Sequence, residues 1–187
     1  NVVIAGTLTA FAGYASVIWV PIYLVRIHEM GTGEAGTYLA LTLGVGGAIG
    51  IYLGGRIADH LGKKYGEHWL AWLVAIVGLI SVPFMLLCFF AETAETAILA
   101  YAIPAFLGTI YVACGFALIQ NHTPLEMRSV CAAINLFILN IIGLGLGPFT
   151  IGLLSDLFEP SMGQDSLRYG LLVTLVANVL GCWYYYR

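Results

Sequence analysis

The 187-residue chain is strongly apolar, because 60% of its residues are hydrophobic, only 9% are charged, and its mean hydropathy is +0.94. A soluble protein of this size could not cover its surface with so few polar groups, so the composition places the chain in a lipid bilayer. The net charge of -3 and the lack of a Lys/Arg stripe exclude nucleic-acid binding.

The apolar residues fall into stretches of the length that a membrane helix needs, about 20 residues. Six stretches qualify, and none alternates as the strands of a β-barrel do. We therefore predict an all-α membrane protein in which residues 1–187 form one bundle of six transmembrane helices. The chain begins at Asn1 without a charged leader, and a span starts almost at once, so we expect it to be part of a longer protein. The predicted spans are 2–25, 35–53, 69–91, 97–119, 130–154 and 169–186.

The basic residues between these spans predict their orientation. If the exit of the second span is cytoplasmic, five basic residues lie inside and only Arg26 and Arg168 lie outside. The prediction is an integral protein of a bacterial inner membrane or plasma membrane, with both ends of this segment in the cytoplasm. The five inside residues are Arg56, Lys63, Lys64, Arg128 and Arg187.

The second apolar stretch closes on a dense run of glycine and charge, Gly54-Gly55-Arg56-Ile57-Ala58-Asp59-His60-Leu61-Gly62-Lys63-Lys64. We expect the chain to turn at Gly62. The order Gly-x-Ile-Ala-Asp-x-x-Gly-Lys-Lys resembles the loop signature of the major facilitator superfamily of secondary transporters. It departs from the family pattern at His60, where the family usually has Arg. The resemblance implies a gating segment made of Gly55, Arg56, Asp59, Gly62, Lys63 and Lys64, with Arg128 on the same side.

Asp59 is the residue of this signature with the clearest mechanism. A carboxylate at the membrane edge is costly unless it is partnered, and it can stabilise the positive end of a neighbouring helix. In the family, such contacts hold the two halves of the transporter together on the cytoplasmic side. By this resemblance, Asp59 would contact a helix of an amino-terminal six-helix half that this chain lacks.

Part of the signature is repeated later in the chain. Gly55 and Asp59 close the second span, and Gly152 and Asp156 occupy the same places in the fifth, 97 residues later in both cases. An odd number of spans separates the two copies, so they face opposite sides of the membrane. We predict a three-plus-three inverted repeat, as in one six-helix half of such a transporter.

Small residues mark two helix faces for close packing. Glycines recur every four residues in the second span, and a Gly-x-x-x-Gly-Pro sequence occurs in the fifth. Another helix can approach such a face closely, and proline permits a bend. The predicted packing and kink residues are Gly46, Gly50, Gly54, Gly143, Gly147 and Pro148.

Aromatic and polar residues within the spans are the candidates for lining a substrate cavity. In the fourth span, Tyr101, Pro104, Gly108, Tyr111 and Gly115 share one helical face. The first and fourth spans are the cavity-facing ones in the superfamily, so the resemblance adds the first span. For each residue, an interhelical hydrogen bond that only holds the bundle together is the alternative. The cavity candidates are Tyr14, Trp19, Tyr101, Tyr111 and Asn140.

Groups for catalysis, cofactors or metals do not stand out. No nucleophile–base pair lies within a span, which argues against an intramembrane enzyme, and no cofactor or metal is predicted. The cysteines Cys88, Cys114, Cys131 and Cys182 lack metal-ligand spacing and are expected to be buried apolar residues. No acidic or basic residue lies mid-span, so the sequence leaves open whether a coupling residue belongs to another half or the protein is a uniporter.

Three further sequences narrow the resemblance within the superfamily. They are Gly36-Thr37-Tyr38-Leu39-Ala40-Leu41, the stretch from Asn135 to Pro148, and Leu167-Arg168-Tyr169-Gly170-Leu171-Leu172, and all three look like the spinster-like branch. The resemblance covers the whole chain and matches the carboxy-terminal six helices of that family. It implies alternating-access transport of a small organic, amphipathic or lipid-like cargo. The alternative is a complete six-helix protein that dimerises into a pore or structural scaffold.

Overall fold

The computed structural model describes residues 1–66 and 68–187, and its regular elements within these ranges are all helical. The short connections leave no room for a soluble domain among the described residues. The elements are α1 (Val2–His28), α2 (Thr32–Tyr65), α3 (His68–Phe89), α4 (Ala94–Asn121), a 3₁₀ turn (Leu125–Met127), α5 (Arg128–Ile138), a π-helical segment (Leu139–Leu146), α6 (Gly147–Met162), a second 3₁₀ turn (Gly163–Asp165) and α7 (Ser166–Tyr186).

By length and composition, five helical stretches of the described chain could cross a membrane. Four are α1 to α4, and the fifth is the continuous stretch Leu125–Tyr186, which contains α5, the π segment, α6 and α7. The all-helical membrane class is therefore confirmed. The count of six spans stays a prediction, because it requires this last stretch to cross twice.

Helix α2 is longer than the apolar stretch that predicts it. Its 34 residues correspond to about 51 Å, well beyond the roughly 30 Å of a bilayer's hydrocarbon layer. The expected turn at Gly62 is wrong, because Gly62 lies inside the helix. The chain leaves the helix at Gly66, whose positive φ of 94° favours glycine, and the Gly66 amide donates to the Gly62 carbonyl over 3.1 Å. The gating segment is thus helical rather than a loop.

The packing of α1–α3 and the packing of the later helices follow the same pattern. Helix α4 packs against α2 and α3, while α1 packs against α7 and against the π segment and α6. Helices α3 and α7 contact each other across the middle. The chain thus divides into two sets of three: α1, α2 and α3, and then α4, the stretch from α5 to α6, and α7. The first helix of each set packs against the second and third members of the other set, as expected for two related three-helix units.

One end of the bundle is closed by hydrogen bonds to the end of α3. Tyr23 of α1 is fully buried, and its hydroxyl lies 2.9 Å from the carbonyl oxygen of Cys88 and 3.1 Å from that of Phe89. These carbonyls end α3 and have no partner within the helix. His28 Nε2 donates to the same hydroxyl over 3.0 Å, since the Tyr23 proton is already used.

Both basic residues at this end of the bundle are paired with carboxylates. Arg26 contacts Glu159 of α6 over 3.1 Å, and Arg168 lies 3.1 Å from Asp165. The Arg168 guanidinium also stands over the Tyr23 ring, 5.9 Å from its centroid. These contacts join the end of α1 to α6 and α7.

Candidate functional site

A cavity of about 320 Å³ opens between α1, α3, α4, α5 and α7. It has no acidic side chain, lysine, arginine or histidine among its described lining residues. Its walls are apolar with isolated hydroxyl and amide groups, which is the usual composition of a site for a small organic ligand.

The predicted stripe on the fourth span faces this cavity. All five of its residues line the wall, and Tyr14 lines it from α1. The Tyr111 hydroxyl donates to the Gly6 carbonyl over 2.9 Å, and its ring meets that of Tyr185 edge-on at 6.4 Å between centroids. Tyr14, Tyr101 and Tyr111 therefore line one cavity, and their role in binding a substrate stays a prediction. The five stripe residues are Tyr101, Pro104, Gly108, Tyr111 and Gly115.

Trp19 does not line the cavity and is corrected to a packing residue. Its indole Nε1 donates to the carbonyl of Pro148 over 2.9 Å. A Cβ added at Gly152 would lie 3.1 Å from its ring. The indole therefore holds α1 against α6, which is the bundle-holding role that the sequence left open.

Asn140 does not line the cavity either, although the structure offers another amide in its place. Asn140 is exposed on the π segment, and its Nδ2 donates within the helix to Leu136 O over 2.7 Å. Asn135, five residues earlier, is only 5% exposed and lines the cavity. A second, apolar cavity between the start of α1, the end of α4 and α5 shares Asn135, Val2 and Ile119 with the first.

Sequence reasoning missed Ser81 and Asn178, which reach the cavity from α3 and α7. Asn178 Nδ2 donates to the Gly78 carbonyl over 3.0 Å, so this amide also joins the two helices. The sequence does contain a signal for both. Ser81 and Asn178 are 97 residues apart, and so are Tyr14 and Tyr111, which is the spacing of the predicted repeat.

The glycines of the second span divide into two groups. A Cβ at Gly50 would clash with Thr109 and lie 2.6 Å from the carbonyl oxygen of Phe106, and one at Gly54 would lie 2.9 Å from Ile110 Cα. Helix α2 therefore approaches the α4 backbone closely at these two positions. A Cβ at Gly46 meets no described atom within 4 Å, so close packing at this glycine stays a prediction.

The glycines before α6 make the matching contact with α1. A Cβ at Gly143 would lie 2.9 Å from Tyr14 Cδ2, and one at Gly147 would lie 2.9 Å from the Phe11 carbonyl oxygen. Pro148 falls in the first turn of α6, directly after the π segment. The irregularity of the fifth span is thus a π segment followed by a proline.

Comparison with known proteins shows what the chain resembles. No family model matches the chain. It is 33% identical over 180 residues to an MFS-type efflux pump of Mycolicibacterium smegmatis, which covers 96% of this chain and 42% of that protein. Two crystal structures of a bacterial homologue of the human lysosomal transporter Spinster, both inward-facing, match 99% of the chain. The unoccupied form matches with a TM-score of 0.87 over 46% of its length, and the occupied form with 0.84 over 47%, both at 22% identity.

The resemblance to the major facilitator superfamily is confirmed. The chain spans somewhat under half the length of each of these relatives, and the structural likeness gives the bundle the fold of the matching part of the Spinster homologue. The relatives are named as transporters, which are not generally enzymes.

The superfamily signature lies at the end of the bundle opposite the Arg26–Glu159 pair. Asp59 is exposed on α2 and makes no ion pair with any residue of 1–66 or 68–187. Arg56 donates to the Tyr52 hydroxyl over 2.8 Å, and Arg128 Nε donates to the Thr123 carbonyl over 3.3 Å. The structure therefore does not join Asp59 to the basic residues of the signature, and it leaves the carboxylate free for another partner. Lys63 and Lys64 are exposed in the last turn of α2.

The cysteines are distributed nearly as expected. Cys88, Cys114 and Cys182 are buried, but Cys131 is half-buried at the second cavity, so the expectation of burial is wrong for this one. In the described part of the chain, no three His, Cys, Asp or Glu residues come together as a metal site would require.

Proposed function

We propose that this chain is half of a secondary transporter that carries a small organic, amphipathic solute by alternating access. The observation that carries the proposal is the apolar cavity of about 320 Å³, bordered by Tyr14 and Tyr111, in a bundle with the fold of a half-transporter. The efflux-pump relative supports transport as the activity. The apolar wall with isolated hydroxyl and amide groups supports a cargo with both apolar and polar parts.

The proposal includes a second six-helix half that completes the cavity. It is supported by the share of each relative that the chain matches, which lies between 42% and 47%. In this arrangement the stretch Leu125–Tyr186 crosses the membrane twice, which makes six spans. Both ends of the segment then lie in the cytoplasm, together with the basic residues of the signature.

The exposed carboxylate of Asp59 would then form a latch to the other half. Because Asp59 has no ion-pair partner in the described chain, it is free to pair with a helix end or a cation across the interface. Loss of its charge weakens the latch on the cytoplasmic side. The Asp59→Asn variant should therefore shift the resting population toward the inward-open form.

Cysteine labelling in proteoliposomes of the full-length protein tests both statements. Gly13→Cys and Gly108→Cys are suitable reporters, because both glycines line the cavity and an added Cβ at either meets nothing described within 4 Å. Cys131, the half-buried native thiol, is first replaced by alanine. A membrane-impermeant maleimide is then applied from one side at a time.

Alternating access predicts that the reporters are labelled from either side. Asp59→Asn should raise the ratio of cytoplasmic to outer labelling, whereas Glu126→Gln, an exposed acidic residue outside the signature, should leave it unchanged. Labelling from one side only would reject alternating access. A ratio that Asp59→Asn does not change would reject the latch alone.

A further inference from the structure

A row of four aromatic rings crosses the end of the bundle at which α2 and α7 finish and α3 begins. Tyr65 of α2 contacts Trp69 of α3, with 5.4 Å between the ring centroids. Trp69 contacts Trp72 over 5.8 Å, and Trp72 contacts Tyr186 of α7 over 5.3 Å. Three of the rings are exposed, and only that of Trp69 is half-buried. Exposed tryptophan and tyrosine rings of this kind favour the boundary between lipid chains and headgroups.

A cation stands over a ring at each end of this aromatic row. At one end, the Lys64 ammonium nitrogen lies 5.0 Å from the ring centroid of Tyr65. At the other end, the Arg187 guanidinium carbon lies 5.5 Å from the ring centroid of Trp183, which is exposed and three residues before Tyr186. A ring positions a cation without neutralising it, because the ring has no net charge. Both cations therefore keep N–H donors for an anion.

The two ends of the bundle differ in how their basic residues are balanced. Lys64 and Arg187 make no ion pair with any described residue. At the opposite end, Arg26 and Arg168 each lie 3.1 Å from a carboxylate oxygen. Positive charge is thus available beside the aromatic row and is matched by carboxylates at the other end.

An occupant of this surface must match both the rings and the cations. Rings at the lipid boundary fit the glycerol and upper chain region of a phospholipid. Ammonium and guanidinium groups both bind phosphate oxygens. A zwitterionic lipid carries an ammonium group of its own beside the phosphate, which the two cations repel, so a lipid with a net negative charge fits better.

We propose that the aromatic row, with Lys64 and Arg187, binds anionic phospholipids, with one lipid phosphate at each cation and the lipid chains against the rings. The cations lie at opposite ends of the row, so they hold two different lipid molecules. This binding does not depend on the proposed transport function.

Photolabelling of the full-length protein in phosphatidylcholine vesicles tests the proposal. The probes are phosphatidylglycerol and phosphatidylcholine, each with the same diazirine near the glycerol end of one acyl chain and each used at the same molar fraction. Labelled peptides are identified by mass spectrometry, and the ratio of phosphatidylglycerol to phosphatidylcholine labelling is measured at each position. The opposite end of the bundle is the internal control, because Arg26 and Arg168 are paired there.

The ratio near Tyr65 and near Trp183 should exceed that at the opposite end by about threefold to fivefold, as expected for one unpaired basic residue at a lipid surface. Lys64→Gln should remove the excess near Tyr65 and leave that near Trp183, and Arg187→Gln should do the reverse. Lys63→Gln is the matched control and should keep most of the excess, because Lys63 is exposed beside Lys64 but stands over no described ring.

Equal ratios at the two ends of the bundle would overturn the proposal. Equal losses in Lys63→Gln and Lys64→Gln would also overturn it, because they would show general attraction by basic residues rather than a site. Neither result bears on alternating access, which is decided by the two-sided cysteine labelling.

Discussion

The close contact between α2 and α4 at Gly50 gives the sharpest test of the packing. In Gly50→Ala, the new Cβ would clash with Thr109 Oγ1 and lie 2.6 Å from the carbonyl oxygen of Phe106. Thr109 cannot easily turn away, because its hydroxyl donates to that same carbonyl over 2.7 Å. The helices must therefore separate.

The required separation gives the size of the effect. Ordinary contact begins at 3.4 Å, so the α2 backbone must move by at least about 0.8 Å from the Phe106 carbonyl, and the closer contact with Thr109 requires more. Overpacking of this kind costs about 1–3 kcal/mol, against which the better helix propensity of alanine returns up to about 1 kcal/mol. The new Cβ meets both a hydrogen-bonded side chain and a backbone carbonyl, so the cost falls in the upper part of that range, about 2–3 kcal/mol, and Gly50→Ala should lower the free energy of unfolding by about 1–2 kcal/mol.

Gly46→Ala is the matched control, because it makes the same substitution one turn earlier with open space around the Cβ. It should leave the stability unchanged or slightly raised. The assay is reversible unfolding in mixed micelles, followed by circular dichroism. The explanation is refuted if Gly50→Ala is as stable as the wild type, or if Gly46→Ala loses as much.

Substitutions at three further contacts should change the stability by amounts that can be measured separately. Tyr23→Phe should destabilise the bundle by about 1–3 kcal/mol in the same assay, because it removes the hydroxyl that donates to the carbonyls of Cys88 and Phe89, and only the Cys88 carbonyl keeps a second donor, the Ala91 amide. A double-mutant cycle on Arg26 and Glu159 should give a coupling energy below about 1 kcal/mol, since the Glu159 side chain is 58% exposed; a larger coupling would contradict this. Trp19→Phe should cost about 1 kcal/mol of stability without changing reporter labelling in the cavity, and altered labelling would place the indole in the site after all.

The sequence predicts the all-helical membrane class and many of the residues that line the cavity, because both depend on patterns within single helices. Apolar length identifies the membrane helices, and steps of three and four residues place Tyr101 and Tyr111 on one face. Neither inference needs to know how the helices meet.

The failures come from features that a single helix does not carry. Asn140 and Asn135 both lie in the fifth span, and which amide faces inward is decided by how α5 and the π segment sit on α1 and α4. Gly46 shares a helical stripe with Gly50, but α4 crosses α2 at one place, and only the glycines near the crossing touch it. The apolar count also ended α2 too early, since polar residues continue a helix once it leaves the lipid.

Because α2 is one uninterrupted helix, its two ends can move together as a rigid body. Helix α2 contacts α4 most closely at Gly50, and Asp59 lies nine residues further along α2, about 13 Å away. If α2 tilted by about 10° about its contact at Gly50, the Asp59 carboxylate would move by about 2 Å, which is enough to make or break a hydrogen bond. A small change of shape beside the cavity wall would then be transmitted to the distant acidic group without any bending between them.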